Sequence, residues 1–303
     1  MSDLLTHWAV YDDARRLAAH DPAMEPLFAR LMTEEAESAR LGALARAGNR
    51  WATHILRTAR DAGKAPERNS LAGRKVAFAL GGIAHYAADV VMKPLMSEAA
   101  RADWHAAHDA MQRAGSSEAA AAAAPSIREV SAYYDVHVFR KVYRDGREEP
   151  FSRFLLAANE TAPGAALEAF ARSLFQRALL SIHTLSPPKE DFDAWLERLL
   201  SLVQPLYIDI GLYTRVFERP DPYKMEAFGV ETRFYVEADP IVALARAAQG
   251  GHAPCPRALE AALAADANRG GYGQAVALAM RRLREATAFW RGEREATPDL
   301  KQG

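Results

Sequence analysis

The sequence predicts an all-α fold. Apolar residues recur at helical spacing from one end of the chain to the other, and 63 of the 303 residues are alanine, the best helix former. Only one short stretch, Thr232 to Val236, alternates as a strand would. No repeat of fixed period emerges, and the alanine excess is consistent with a helical bundle.

Taken in order, Trp8 to Ala19 reads as the first helix and Pro26 to Arg46 as the second. Arg50 to Ala62 forms a third, and residues 63–69 a polar loop. Asn69 or Ser70 then caps a helix carrying Lys75 to Val91, because a short polar side chain accepts from the free N–H groups of the first turn. Pro94, lacking a backbone donor, is expected to end it. A helix over 99–114 follows, then a Gly-Ser break and an alanine tract. Ser126 and Glu129 are spaced as a capping box for the next helix. Helices are also expected over 149–160 and 164–180. Ser186-Pro187-Pro188-Lys189 is the clearest boundary, since paired prolines interrupt a helix. Beyond it, helices are expected over 191–203, 205–217, 240–248, 256–265 and 274–291.

Composition excludes several classes. With 38 Lys+Arg against 39 Asp+Glu the charge is near balance, which argues against broad adhesion to nucleic acid. The single cysteine, Cys255, excludes an internal disulfide and any multi-cysteine metal site. No run reaches the roughly 20 apolar residues of a membrane span, the longest stopping at Asp89. The N-terminus has no secretory signature, so a cytoplasmic location is expected. No Walker-type or dinucleotide-binding glycine pattern and no nucleophile-elbow serine occur.

The densest chemistry lies between Ala79 and Pro94. His85 and Asp89, four apart, share one helix face and suit a divalent ion such as zinc. The same spacing also suits a plain hydrogen-bonded pair, and Asp89 with Lys93 reads as an ordinary helical ion pair. Gly81 and Gly82 each cost about 1 kcal/mol against alanine inside a helix, so a close neighbouring helix or a ligand is expected there. Glu129, Tyr133 and His137, at i, i+4 and i+8, could line the same cleft with Glu129 as an acidic ligand, although Glu129 already serves as the capping-box acid. His252 with Cys255 makes a weak pair in a Gly/Pro-rich loop. Aromatics interleaved with arginines over 217–235 read as packed linker aromatics, or as an anion-binding or partner-facing surface.

His85-Tyr86-Ala87-Ala88-Asp89, followed by Lys93-Pro94, resembles the central H-Y-x-x-D…H-P motif of the zinc-dependent phospholipase C family, the phospholipase C/D domain. Thr6-His7-Trp8 is similar to that family's N-terminal metal-binding histidine. Leu41-Gly42-Ala43 with His54 is similar to its next segment, and His105-x-x-x-Asp109 to its closing H-x-x-x-E. The family's Pro-Asp after Leu-Gly is missing, and Lys93 stands where the family has a histidine. The resemblance implies a helical phospholipase C-type domain over 1–186, with 187–303 as a helical C-terminal extension. It implies zinc held by His7, His54, His85, Asp89, His105 and Asp109, with Asp89 also catalytic. The implied activity is hydrolysis of a phospholipid headgroup or related phosphodiester. The alternative is a non-catalytic scaffold of the same fold that binds a ligand or protein. His20-Asp21 and His108-Asp109 also invite comparison with the HD-type phosphohydrolases.

Overall fold

The structure is a computed structural model, and it describes residues 4–44, 48–63, 66–67, 70–113, 127–152, 215–265 and 269–300; the side chains of 48–51 and 102–113 are not among them. It is all-α: 73% helical, with no strand among the described residues. The elements are α1 (Leu4–Ala18), α2 (Pro26–Glu34), α3 (Ala36–Gly42), α4 (Gly48–Asp61), α5 (Leu71–Arg113), α6 (Ile127–Val142), α7 (Pro222–Ala227), a π-helical turn (Val230–Phe234), α8 (Pro240–Gln249), α9 (Pro256–Ala264) and α10 (Gly271–Trp290).

Three local expectations are corrected. The helix expected over 26–46 breaks at Glu35, whose φ of −110° and ψ of 36° leave the helical region, giving α2 and α3. Pro94 lies inside α5 rather than ending it. It sits on an exposed face while Met92 and Met96 on either side are buried, so burial of the flanking turns outweighs one lost backbone hydrogen bond. The expected strand at 232–236 is a π-helical turn: Val230 and Phe234, four apart, are buried while 231–233 are exposed. The stretch Leu71–Arg101 is also long and apolar enough to cross a membrane, with a mean hydropathy of 1.2, and 67% of its most apolar window is buried inside the protein, as in a core helix. The expected helices over 149–180 and 191–217 fall mainly, and the Pro187-Pro188 boundary wholly, outside the described residues.

By internal packing the chain forms two units, one of residues 1–5 with 95–230 and the other of 6–94 with 231–303. The second is organised around α1, which is buried on nearly every side from Thr6 to Ala14. The Trp8 indole donates to the Arg40 carbonyl at 3.1 Å, and the Tyr11 hydroxyl to the Met32 carbonyl at 2.6 Å. At the other end of the sequence, α8 and α9 begin alike, with Asp239 and Cys255 capping just before Pro240 and Pro256. Helix α10 packs on α8 and α4. It is tied to the turn after α1 by Arg284, whose Nε and Nη2 reach the two oxygens of Asp21 at 2.7 and 2.9 Å.

The other unit is built on α6, buried from Val130 to Phe139. Buried Asp135 accepts from the Leu5 N–H at 3.1 Å, which satisfies a free donor in the first turn of α1. Tyr134 donates to the Phe228 carbonyl at 2.9 Å, and Phe139, Tyr143 and Phe151 form an edge-to-face cluster.

Candidate metal centre

The site begins with a helix crossing. A Cβ on Gly42 would fall on the Phe78 carbonyl oxygen, and one on Gly81 on the Ala39 carbonyl oxygen, both far inside contact distance. Helices α3 and α5 therefore meet backbone to backbone. Gly82 faces Ala52 of α4, another small residue. Closely packed helices, one of the two explanations the sequence left open, account for these glycines.

One consequence of the crossing is chemical. It brings the Ala43 carbonyl, just past α3, within 2.9 Å of His85 Nδ1. A carbonyl oxygen only accepts, so in neutral His85 the proton sits on Nδ1 and Nε2 presents a lone pair. Burial lowers the His85 pKa and the nearby His7 lowers it further, outweighing Asp89, so the neutral form is the favoured one.

His85 Nε2 is buried, and the Asp89 Oδ2 oxygen lies 3.4 Å from it, long for a hydrogen bond. From α1, His7 Nε2 lies 3.4 Å from Asp89 Oδ1, and the two imidazoles stack at 4.4 Å between centroids. Both histidines are 3% exposed, while the Asp89 side chain is 15% exposed and opens the cluster toward solvent. Burial opposes the Asp89 charge, but the two histidines outweigh it and hold the carboxyl well below the usual range. Lys93, one turn on, sets its ammonium against Asp89 Oδ2.

This donor set fits a metal ion. The ligand atoms of His7, His85 and Asp89 all lie within 4.8 Å of one another. Two ligands each about 2.0–2.1 Å from a tetrahedral zinc sit roughly 3.4 Å apart. That is the separation of each Nε2 from its carboxylate oxygen. Two histidines and a carboxylate also form the ligand set of catalytic zinc sites that keep a position open. The Ala43 carbonyl supplies the outer contact that fixes ring orientation in such sites.

Of the six metal ligands expected, His7, His85 and Asp89 come together. His54 is exposed on α4 and is not part of the group. Resemblance placed it by order along the chain, but amphipathic α4 turns Ala52 and Leu56 inward and His54 outward. His105 and Asp109 lie on the last part of α5, and their side chains, like that of His108, are outside the described residues. Glu129 is ion-paired with Lys224, and the Tyr133 hydroxyl accepts from the Asp221 N–H at 3.3 Å, so these two serve packing. His20 is exposed and Asp21 is held by Arg284, which removes that pair as a metal site. Cys255 caps α9 from an exposed position and His252 is exposed as well. Phe228, Phe234 and Tyr235 are buried, Phe217 is half-buried and Arg215, Arg219 and Arg233 are exposed, while Tyr223 is exposed and departs from the packed-aromatic reading.

The Ala43 carbonyl was the functional group the sequence did not single out. Its signal is the pair of helical glycines thirty-nine residues apart in sequence, Gly42 and Gly81. No family model matches the chain, and comparison with curated proteins and with solved structures gives no match.

Proposed function

We propose that this chain is a metal-dependent phosphoesterase whose His7, His85 and Asp89 hold one divalent ion, zinc first, and which hydrolyses a phospholipid headgroup or related phosphodiester. One observation supports the metal most directly. A buried lone pair on His85 Nε2 faces a carboxylate oxygen, and two acceptors so placed repel unless a cation lies between them. A proton is a poor candidate for that cation, because burial and His7 both disfavour imidazolium at His85. The reaction class rests on the resemblance of His85-Tyr86-x-x-Asp89 to the zinc-dependent phospholipases C. When bound, such an ion supplies Lewis acidity and activates water for attack on phosphorus.

The chain's own residues have separate tasks. The Ala43 carbonyl holds the His85 ring in the tautomer that ligates. Asp89 supplies the only negative charge of the triad and its most solvent-accessible edge, so substrate approaches from its side.

A second reading has an observation of its own. Lys93 already neutralises Asp89, as it would in a scaffold that keeps the fold without the metal. Elemental analysis of protein purified without chelator separates the two. The enzyme reading expects about one zinc per chain, hydrolysis of bis(p-nitrophenyl) phosphate, and loss of both in His85→Ala and Asp89→Asn. Metal-free protein that cannot be loaded, with no hydrolysis and an unaffected His85→Ala variant, overturns it in favour of the scaffold.

A further inference from the structure

Among the described residues, Lys93 is a charged group beside the triad that metal binding leaves without a role. Its ammonium is set on Asp89 Oδ2, the same oxygen that faces His85 Nε2, while His7 faces Oδ1. Its side chain is 66% exposed, so a flexible four-carbon stem can swing the charge outward without disturbing the core. Resting on the metal reading above, we propose that Lys93 is both a placeholder cation and an anion-recognition residue. It neutralises Asp89 while no ion is bound, and once an ion takes the carboxylate the displaced ammonium binds a phosphate-type anion.

The argument is one of charge. The triad carries a single negative charge, on Asp89. A divalent ion added beside Lys93 leaves the cluster with two net positive charges at its solvent-facing edge. The ion and the ammonium then compete for Oδ2 and repel each other, and an anion bridging them relieves that repulsion. The cluster thus prefers an anion only after the metal has entered, which couples the two ligands.

Removing the Lys93 charge must therefore act in opposite directions on the two ligands. In Lys93→Met, zinc binding tightens about tenfold, because a cation near the ion is gone. Phosphate binding to the zinc-loaded protein weakens by about tenfold or more. Both are read by calorimetry: zinc titrated into metal-free protein, then micromolar inorganic phosphate titrated into the zinc-loaded form. Wild-type protein is expected to bind phosphate only when loaded. Dimethyl phosphate, run in parallel, distinguishes a diester from free phosphate as the source of the anion, and Lys93-dependent binding of either supports the proposal. An unchanged zinc affinity in Lys93→Met, or phosphate binding that ignores zinc or Lys93, overturns it and leaves the metal reading intact. Failure of the wild type to bind zinc overturns both. Lys93→Arg, which keeps the charge, should retain phosphate binding, and a thermal melt of each variant confirms folding at this exposed position.

Discussion

Helix α1 carries two sets of polar groups less than two turns apart, and they are finished differently. Asp12 and Asp13, both fully buried, have their oxygens met by donors. Arg40 reaches the two oxygens of Asp12 at 2.8 and 3.2 Å. Asp13 accepts from Arg16 and from the Tyr272 hydroxyl, each at 2.6 Å, and is ion-paired with Arg246. Each carboxylate oxygen there faces a donor. At His7 the helix instead contributes to a cluster in which His85 offers a lone pair toward a carboxylate. The first arrangement needs nothing further to be stable; the second is complementary to a cation that the polypeptide only partly supplies through Lys93. Burial alone therefore does not distinguish a structural charge cluster from a functional one. What separates them is whether each acceptor faces a donor.

The sharpest way to break that contrast is to compare Asp13→Ala with His85→Ala in urea unfolding without metal. Removing Asp13 strands Arg246 and the Tyr272 hydroxyl, so a loss of about 3–5 kcal/mol is expected, the range for breaking a buried ion pair from one side. His85→Ala breaks no closed ion pair and should cost less than that, while abolishing stabilisation by zinc. In wild-type protein, zinc at about a hundred times its Kd should add roughly 2.7 kcal/mol. Equal losses in the two variants, both indifferent to zinc, would refute the distinction.

A second variant tests whether the helix crossing builds the site. In Gly81→Ala the new methyl meets the Ala39 carbonyl, so α3 and α5 must separate. Overpacking of this kind costs about 1–3 kcal/mol. Because the same movement withdraws the Ala43 carbonyl from His85 Nδ1, zinc affinity should fall about 10- to 100-fold, as when outer contacts of metal ligands are lost. A variant that is destabilised yet binds zinc normally would show that the crossing serves packing alone.

These two clusters also show what the sequence reveals and what it hides. The all-α class follows from local rules: alanine content, helical spacing, and proline at the first turn of α2, α8 and α9. His85 and Asp89 follow from a fixed i, i+4 relation within one helix, which any helix of that sequence would present. His7 was reached only by resemblance, because its place beside them depends on how α1 packs on α5. His54 shows the limit of that route, since order along the chain does not determine which face of α4 points inward. The same holds for Pro94 and for 232–236, where burial of neighbouring turns overrode a sound local rule. Pairings such as Asp13 with Arg246 or Asp21 with Arg284 span more than 230 residues, and no local pattern announces them.

Acid should act on the open cluster in a defined sense. Because burial, with His7, holds the His85 pKa below its ordinary 6.5, the unfolded chain takes up a proton between the two values that the folded chain does not. Stability from this group is therefore complete above pH 6.5 and declines as pH falls below it. Asp89 adds a loss of the same sign: its folded pKa is depressed, so its contribution is present above 3.8 and fades at lower pH. Urea midpoints of metal-free protein between pH 5 and 8 should show the first decline, and His85→Ala should flatten it. With zinc present the decline should steepen, since protonated imidazoles do not ligate. A wild-type profile that rises toward acid would contradict the neutral, lone-pair-bearing His85 on which the site rests.

The smallest expected effect is also the one that best separates geometry from resemblance. His54 matches a family ligand by order and approximate spacing, yet it lies on the exposed face of α4 and outside the cluster. His54→Ala should change stability by less than about 0.5 kcal/mol, as surface substitutions usually do. It should leave zinc stoichiometry and affinity unchanged, whereas His7→Ala should reduce zinc binding as His85→Ala does. If His54→Ala instead loses zinc while His7→Ala keeps it, α4 must turn its other face to α5 in the metal-bound protein. The donor–acceptor imbalance at His85 would then be resolved by a different set of ligands from the one described.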